Sequence, residues 1–324
     1  MYNISKKYSS GFAFFSKLLI IAGAYYIIAG KVMQDGHWIG IFEAAGASGS
    51  SITELVLIPV ILLSSILNWT LEAWKWRELV ASFRRIPLLS AARQSFASLT
   101  VSLITPNRIG EYGAKALFFE RPERTGVLLL NFVSNFSQMA ITLLFGLLGS
   151  ILLPEVIPGL FNHQTAPVLL VAIAVPLAGL LFLQSRKGSQ LLRGWRQNLW
   201  SIPQAVLTRA FLLSFAKYLV FSNQFYLLLW LFGAGIDYAQ AMPVIFSMYF
   251  ISSLIPGFVL FDWLVKGSVA VSLFQFFGVN EILVLSVTSL MWILNFALPS
   301  LIGSYFVLTF KKGSLVLKKS EVGP

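Results

Sequence analysis

Six ionisable residues lie inside apolar stretches of the chain, and most of them fall into two related patterns. Arg108, Glu111 and Lys115 follow Thr105-Pro106-Asn107, Asp262 and Lys266 follow Pro256-Gly257, and Lys217 stands alone in a third stretch. In both patterns an acid precedes a lysine by four residues, the order and spacing that place the two groups on one helix face. An ionisable group in the bilayer core costs about 2.5–3.5 kcal/mol on insertion scales, so such groups face a cavity or a partner.

With Glu111 and Lys115 neutralising each other, Arg108 is the spare positive charge, and its guanidinium is a fixed fork of donors that matches phosphate oxygens. Thr105 and Pro106 read as a helix start, the hydroxyl capping free amides and the proline occupying the first turn. The positive dipole end of that helix adds to the attraction for an anion. In the second pattern Phe258 and Val259 stand where another arginine would help. A polar stripe, Asn131, Asn135 and Gln138 at i, i+4 and i+7 with Ser134 beside it, and the pair Lys217 and Gln224 seven apart, either bond helices together or line a path for solute. Asn135, Lys217, Asp262 and Lys266 therefore join Arg108, Glu111 and Lys115 as candidate binding residues.

Other chemistries find no support. Cysteine is absent, which excludes thiolate nucleophiles, disulfides and Cys-ligated metals. The two histidines, His37 and His163, are far apart in polar connections, with no metal-ligand spacing. No Ser–His pair or cluster of catalytic carboxylates stands in the apolar stretches, so neither an enzyme nor a metal or cofactor is expected.

The elements that must position these residues are membrane helices. Of 324 residues, 57% are hydrophobic and 11% charged, against about 45–50% and 25% in soluble domains. Six stretches have the roughly 20 apolar residues a span needs, over 12–30, 54–74, 125–153, 166–184, 204–232 and 282–308. Two more, 94–119 and 241–277, are interrupted at Pro106 and Pro256, each being a kinked span or a re-entrant pair of half-helices. The net charge of +11 decides between these by its distribution rather than pointing to nucleic acid. With both stretches re-entrant and the N-terminus cytoplasmic, every Lys and Arg falls inside except Lys31 and the membrane-embedded Arg108, Lys115, Lys217 and Lys266. Full crossings would instead put the basic residues between Arg186 and Arg196 outside, against the positive-inside rule.

The expected fold is thus an all-α polytopic membrane protein. Six spanning helices and two Pro-broken re-entrant hairpins form an inverted repeat, with halves near 1–165 and 166–324 in a single membrane domain. A secretory signal is the other reading of Lys6, Lys7 and the following apolar run, but that run continues to Ala29 with the length of a span. The polar connections over 31–53, 75–93 and 185–203 are too short for a soluble domain. Lys75 and Arg77 fall on the cytoplasmic side, Arg84, Arg85 and Arg93 on a cytoplasmic surface helix, and Trp69, Trp74 and Trp76 in an interfacial belt, with Trp195 and Trp200 as a further anchor.

The segment Leu103-Ile104-Thr105-Pro106-Asn107-Arg108-Ile109-Gly110-Glu111 after a basic loop resembles the signature of the lysylphosphatidylglycerol synthase transmembrane-region family, the membrane domain related to the flippase part of multiple peptide resistance factor. The family's glycine and glutamate fall on Gly110 and Glu111, and its second, Pro-Gly-rich motif on Pro256, Gly257 and Asp262. Further glycines of that motif are replaced here by Phe258, Val259 and Leu260, and Asp262 stands where glutamate is usual. The resemblance implies lipid translocation; with Arg108 as the phosphate-binding group, the expected cargo is an anionic phospholipid, lipid-linked head group or polyprenyl-phosphate carrier crossing the cytoplasmic membrane, and the charge distribution puts both termini on the cytoplasmic side. It implies no lipid aminoacylation, and as protein partners a second copy of the chain or a separate lipid-modifying enzyme. The alternative function is an ion-coupled transporter using Glu111 and Asp262.

Overall fold

The computed structural model describes residues 52–103, 105, 108–153, 202–255 and 259–310. The expected spans over 12–30 and 166–184, the loop over 154–165, Lys31, the Arg186–Arg196 cluster, the Trp195 and Trp200 anchor, both termini, and Pro106, Pro256 and Gly257 lie outside these residues.

All regular structure among the described residues is helical: α1 (Ile52–Val80), α2 (Leu88–Leu103), α3 (Ile109–Leu117), α4 (Arg124–Leu152), α5 (Gln204–Leu231), α6 (Tyr238–Leu254), α7 (Val259–Phe274), α8 (Glu281–Trp292) and α9 (Leu298–Thr309). Four segments, Val56–Val80, Arg121–Leu152, Gln204–Leu231 and Glu281–Thr309, are long and apolar enough to cross a membrane. They coincide with four of the six expected spans. The first extends past the expected boundary at 74, because nothing after it breaks the helix until the turn at Ala81. No surface helix separates α1 from α2; Arg84 and Arg85 occupy a short connection, and Arg93 lies on α2 itself.

Each interrupted stretch holds two separate helices, α2 with α3 and α6 with α7, and the proline that the sequence places between them disfavours one continuous helix. Around the first break the flanking chain comes together: Arg84 pairs with Glu123 at 2.7 Å and Phe83 packs against Phe119. The residues that precede α2 thus stand beside those that follow α3. Around the second, Tyr238 at the start of α6 packs on Tyr226, while Phe274 at the end of α7 packs on Phe225, one residue away on α5.

Helices α1 and α5 run antiparallel, paired from Gln224–Ser65 through Lys217–Glu72 to Arg209–Glu78. Two apolar clusters form the core. One gathers Trp76, Leu79, Ala97, Val127, Leu130 and Ala210, and the other Phe225, Leu228, Ile245, Met248, Phe274 and Val284. Apolar side chains such as Leu63, Leu144, Ile151 and Tyr305 face outward.

A polar layer runs between the clusters, where Asn68 donates to Asn295, Asn295 to Gln224, and Gln224 to Ser65. It coincides with a widened turn over Ile293–Ala297, in which the Leu298 amide reaches back to the Ile293 carbonyl. Pro299 explains the turn: it lacks an N–H, and its ring would clash with the Asn295 carbonyl four residues earlier. That carbonyl instead accepts from the Trp69 indole at 3.2 Å. Near one end of this span α9 meets α2 backbone to backbone. A side chain at Gly303 would run into the Phe96 carbonyl, and Thr100 donates to the Ser300 carbonyl at 2.8 Å. Small residues permit such close approach in a membrane, where packing rather than the hydrophobic effect joins helices.

Candidate functional site

A cavity of about 480 Å³ opens among α1, α2, α3, α4, α5, α6 and α7 and the widened turn. Its depth follows from two residues that line it: Lys217 falls midway along Gln204–Leu231 and Asn295 midway along Glu281–Thr309. At 1.5 Å of rise per residue, Lys217 is ~20 Å from either end of its helix.

The start of α3 is built as expected in part. The Thr105 hydroxyl accepts from the Gly110 amide at 2.9 Å, satisfying one of the free donors of the first turn. A side chain on Gly110 would meet that hydroxyl at 2.7 Å, so glycine is required for the close approach. The helix begins later than Pro106 would have it, because Arg108 adopts a left-handed conformation with φ 57°. An arginine in that region is strained, and such strain is held where surrounding structure over-determines it.

Glu111 and Lys115 form the expected pair, Lys115 Nζ donating to Glu111 Oε1 at 2.9 Å. Arg108 is not the unpaired charge that the spacing suggested: its guanidinium stands 3.4 Å from Glu111 Oε2, while its side chain remains 43% exposed. An i,i+3 contact brings Arg108 to the same carboxylate that Lys115 reaches from i,i+4. Lys115 is held further by Asn131 Oδ1 at 2.8 Å and by the face of the Trp76 ring, whose centre is 4.3 Å away. Trp76 therefore belongs to the core and not to an interfacial belt; it is fully buried and donates to Gln94. Trp69 is half-buried at the cavity wall and stacked on Phe96, whereas Trp74 is exposed.

A second group of the same composition comes from α1 and α5. Glu72 receives Lys75 at 3.1 Å and also Lys217. Lys75 is thus a correction to the cytoplasmic assignment: its side chain is 1% exposed, lines the cavity and donates to the Ser134 carbonyl. The misplacement has a simple origin. A span ended at 74 excludes Lys75, yet Asn68, Glu72 and Lys75 repeat the i, i+4, i+7 spacing of the stripe on α4, and all three line the cavity.

Of the candidate binding residues, Arg108, Glu111, Lys115, Asn135, Lys217 and Lys266 line this one cavity. The lysines of both broken-helix patterns thus face the same space, although the Asp262 side chain lies outside the description. Lys266 sits over the Phe296 ring at 5.4 Å. The α4 stripe divides by depth: Asn131 anchors Lys115, Asn135 donates to the Tyr112 hydroxyl, and Asn135, Gln138 and Thr142 line the cavity. Residues not foreseen in the lining include Asn68, Trp69, Glu72, Lys75 and Asn295. The described ionisable residues lining it are basic at positions 75, 108, 115, 217 and 266 and carboxylic at 72 and 111, so the cavity has an excess of positive charge. Among the described residues no three His, Cys, Asp or Glu side chains converge as metal ligands would.

The shared carboxylate sets the energetic stakes at α3. Glu111→Gln leaves Lys115 buried without its carboxylate, and Lys115→Met leaves Glu111 only the looser contact with Arg108 at 3.4 Å; breaking a buried pair costs about 3–5 kcal/mol. Each single variant is expected to lower the yield of folded protein more than the double variant, measured by monodisperse recovery in detergent. Additive losses would show that the two groups do not interact. Compared with known proteins, the chain matches no protein-family model and no curated protein.

Proposed function

We propose that the chain translocates an anionic phospholipid, lipid-linked head group or polyprenyl-phosphate carrier across the cytoplasmic membrane by alternating access. The observation that carries this reading is a positively charged cavity at mid-membrane depth, lined by Arg108, Lys115, Lys75 and Lys217 around only two described carboxylates. An anion brought to that depth exchanges its hydration shell for these donors, whereas a neutral lipid head group brings no net charge to compensate theirs.

In this reading α2 with α3 and α6 with α7 are re-entrant hairpins entering from opposite faces. The Arg84–Glu123 pair supports the first, since it joins the chain before α2 to the chain after α3. Orientation follows from charge. Arg77, Arg84, Arg85, Arg121, Arg124 and Arg209 gather where α1 ends and α4 and α5 begin, while the turns at the other end offer Asp237 and Glu281. By the positive-inside rule the basic end is cytoplasmic. The likeness of residues 103–111 to a flippase-related signature points the same way. The ion-coupled alternative finds less support, because both oxygens of Glu111 already face resident cations, and a substrate cation would have to displace them.

The test is translocation in reconstituted vesicles. A labelled anionic lipid is expected to cross faster than a neutral lipid of equal chain length, in proportion to the amount of protein. Equal rates, or a preference for the neutral lipid, would overturn the reading.

A further inference from the structure

We infer that the head group bound in the cavity is a dianion, the terminal phosphate of a phosphate-monoester lipid, and not the singly charged phosphodiester of ordinary phospholipids. The inference rests on the translocator reading and goes further by fixing the charge of the cargo. It follows from how the carboxylates are shared. Glu72 is approached by Lys75 and Lys217, and Glu111 by Lys115 and Arg108. Each group of three therefore keeps one positive charge in surplus.

The two groups adjoin. Lys75 donates to the carbonyl of Ser134 at 3.4 Å and Lys115 to the side chain of Asn131 at 2.8 Å, less than one turn apart on α4. Beside α4 these two groups thus present two surplus charges to one space, a further base, Lys266, lining the same cavity from α7 over the Phe296 ring, in a medium where uncompensated charge is costly. A phosphodiester neutralises one of them. A phosphate monoester, whose second ionisation lies near pH 6, neutralises both when fully ionised.

The donors that the protein leaves unused agree with a many-oxygen acceptor. Arg108 Nε is buried with no hydrogen-bond partner among the described residues, and the hydroxyl of Ser95, 3% exposed, is in the same condition; both residues line the cavity. A terminal phosphate presents three oxygens to such donors, one more than a phosphodiester has free.

The experiment compares three probes on the full chain in detergent at pH 7: short-chain phosphatidic acid, phosphatidylmethanol of the same chain length, and inorganic phosphate. The methyl group removes one charge and changes little else. Binding is read by native mass spectrometry and by isothermal titration calorimetry. Phosphatidic acid is expected to bind at least tenfold more tightly than phosphatidylmethanol. Lys217→Gln and Arg108→Gln, each removing one surplus charge, are expected to reduce that ratio to about threefold or less. If Lys217→Gln fails to fold, the half-exposed Arg108 still supplies the comparison. Equal affinities for the two lipids would overturn the dianion and leave the translocator reading standing. Binding of neither lipid would overturn both. Inorganic phosphate binding as tightly as phosphatidic acid would overturn the lipid cargo in favour of a soluble phosphate.

Discussion

Glu72→Gln is expected to abolish most of the folded protein, although the change removes no more than a charge. Its carboxylate stands between Lys75 and Lys217, and the Lys75 side chain is 1% exposed. Without it two ammonium groups face each other in low dielectric with Lys115 nearby, and removing one partner of a buried pair costs about 3–5 kcal/mol. That is comparable with a large share of the stability of a typical domain, about 5–15 kcal/mol. The companion variant makes the cause legible. Glu72→Gln combined with Lys75→Met removes one of the two orphaned charges and is expected to recover most of the loss, read as monodisperse yield and thermal midpoint in detergent. A single variant as stable as the parent would show that Glu72 does not neutralise the lysines.

Arg108→Gln is expected to slow translocation of an anionic lipid by about tenfold to a hundredfold, the range that corresponds to losing a charged hydrogen bond of about 1.5–3 kcal/mol. Expression is expected to remain normal, because the side chain is 43% exposed and its pairing with Glu111 is the looser of the two at 3.4 Å. Arg108→Lys keeps the charge but loses the planar fork, so it falls between the two. Transport of labelled lipid in vesicles, normalised to incorporated protein, checks the order. Equal rates for Arg108→Gln and the parent would remove Arg108 from the mechanism.

The two variants differ in how visible their sites are in the sequence. The break at Pro106 and the acid–lysine spacing after it mark α3 directly, because proline and a four-residue interval are local properties of the chain. Lys217 is visible for a similar reason, as a lone charge deep in an apolar run. Glu72 and Lys75 lie near the end of such a run, where apolar content fades and a buried charge looks like an interfacial one. What distinguishes them is α5, whose Lys217 and Arg209 reach α1 from more than a hundred residues away. The pairing of Arg108 illustrates the opposite difficulty. Glu111 lies within helical reach of two cations, and spacing alone does not show that it receives both. The widened turn before Pro299 follows from proline chemistry, but its effect, turning the Asn295 carbonyl toward the Trp69 indole, depends on α1 lying alongside.

The contact between α2 and α9 also bears on which changes the chain can accumulate. An outward leucine such as Leu144 is exposed, and in the proposed membrane setting its surroundings would be fluid acyl chains that adapt to any apolar shape, so substitutions there have little to disturb. Gly303 meets the peptide carbonyl of Phe96, an atom fixed by the hydrogen bonds of its own helix. A single methyl group at Gly303 must therefore push a whole helix aside, carrying with it the Thr100 bond to Ser300 and the arm that leads to Arg108. The outward apolar surface thus leaves room for change, whereas the seam at Gly303 is one hydrogen atom wide and leaves none.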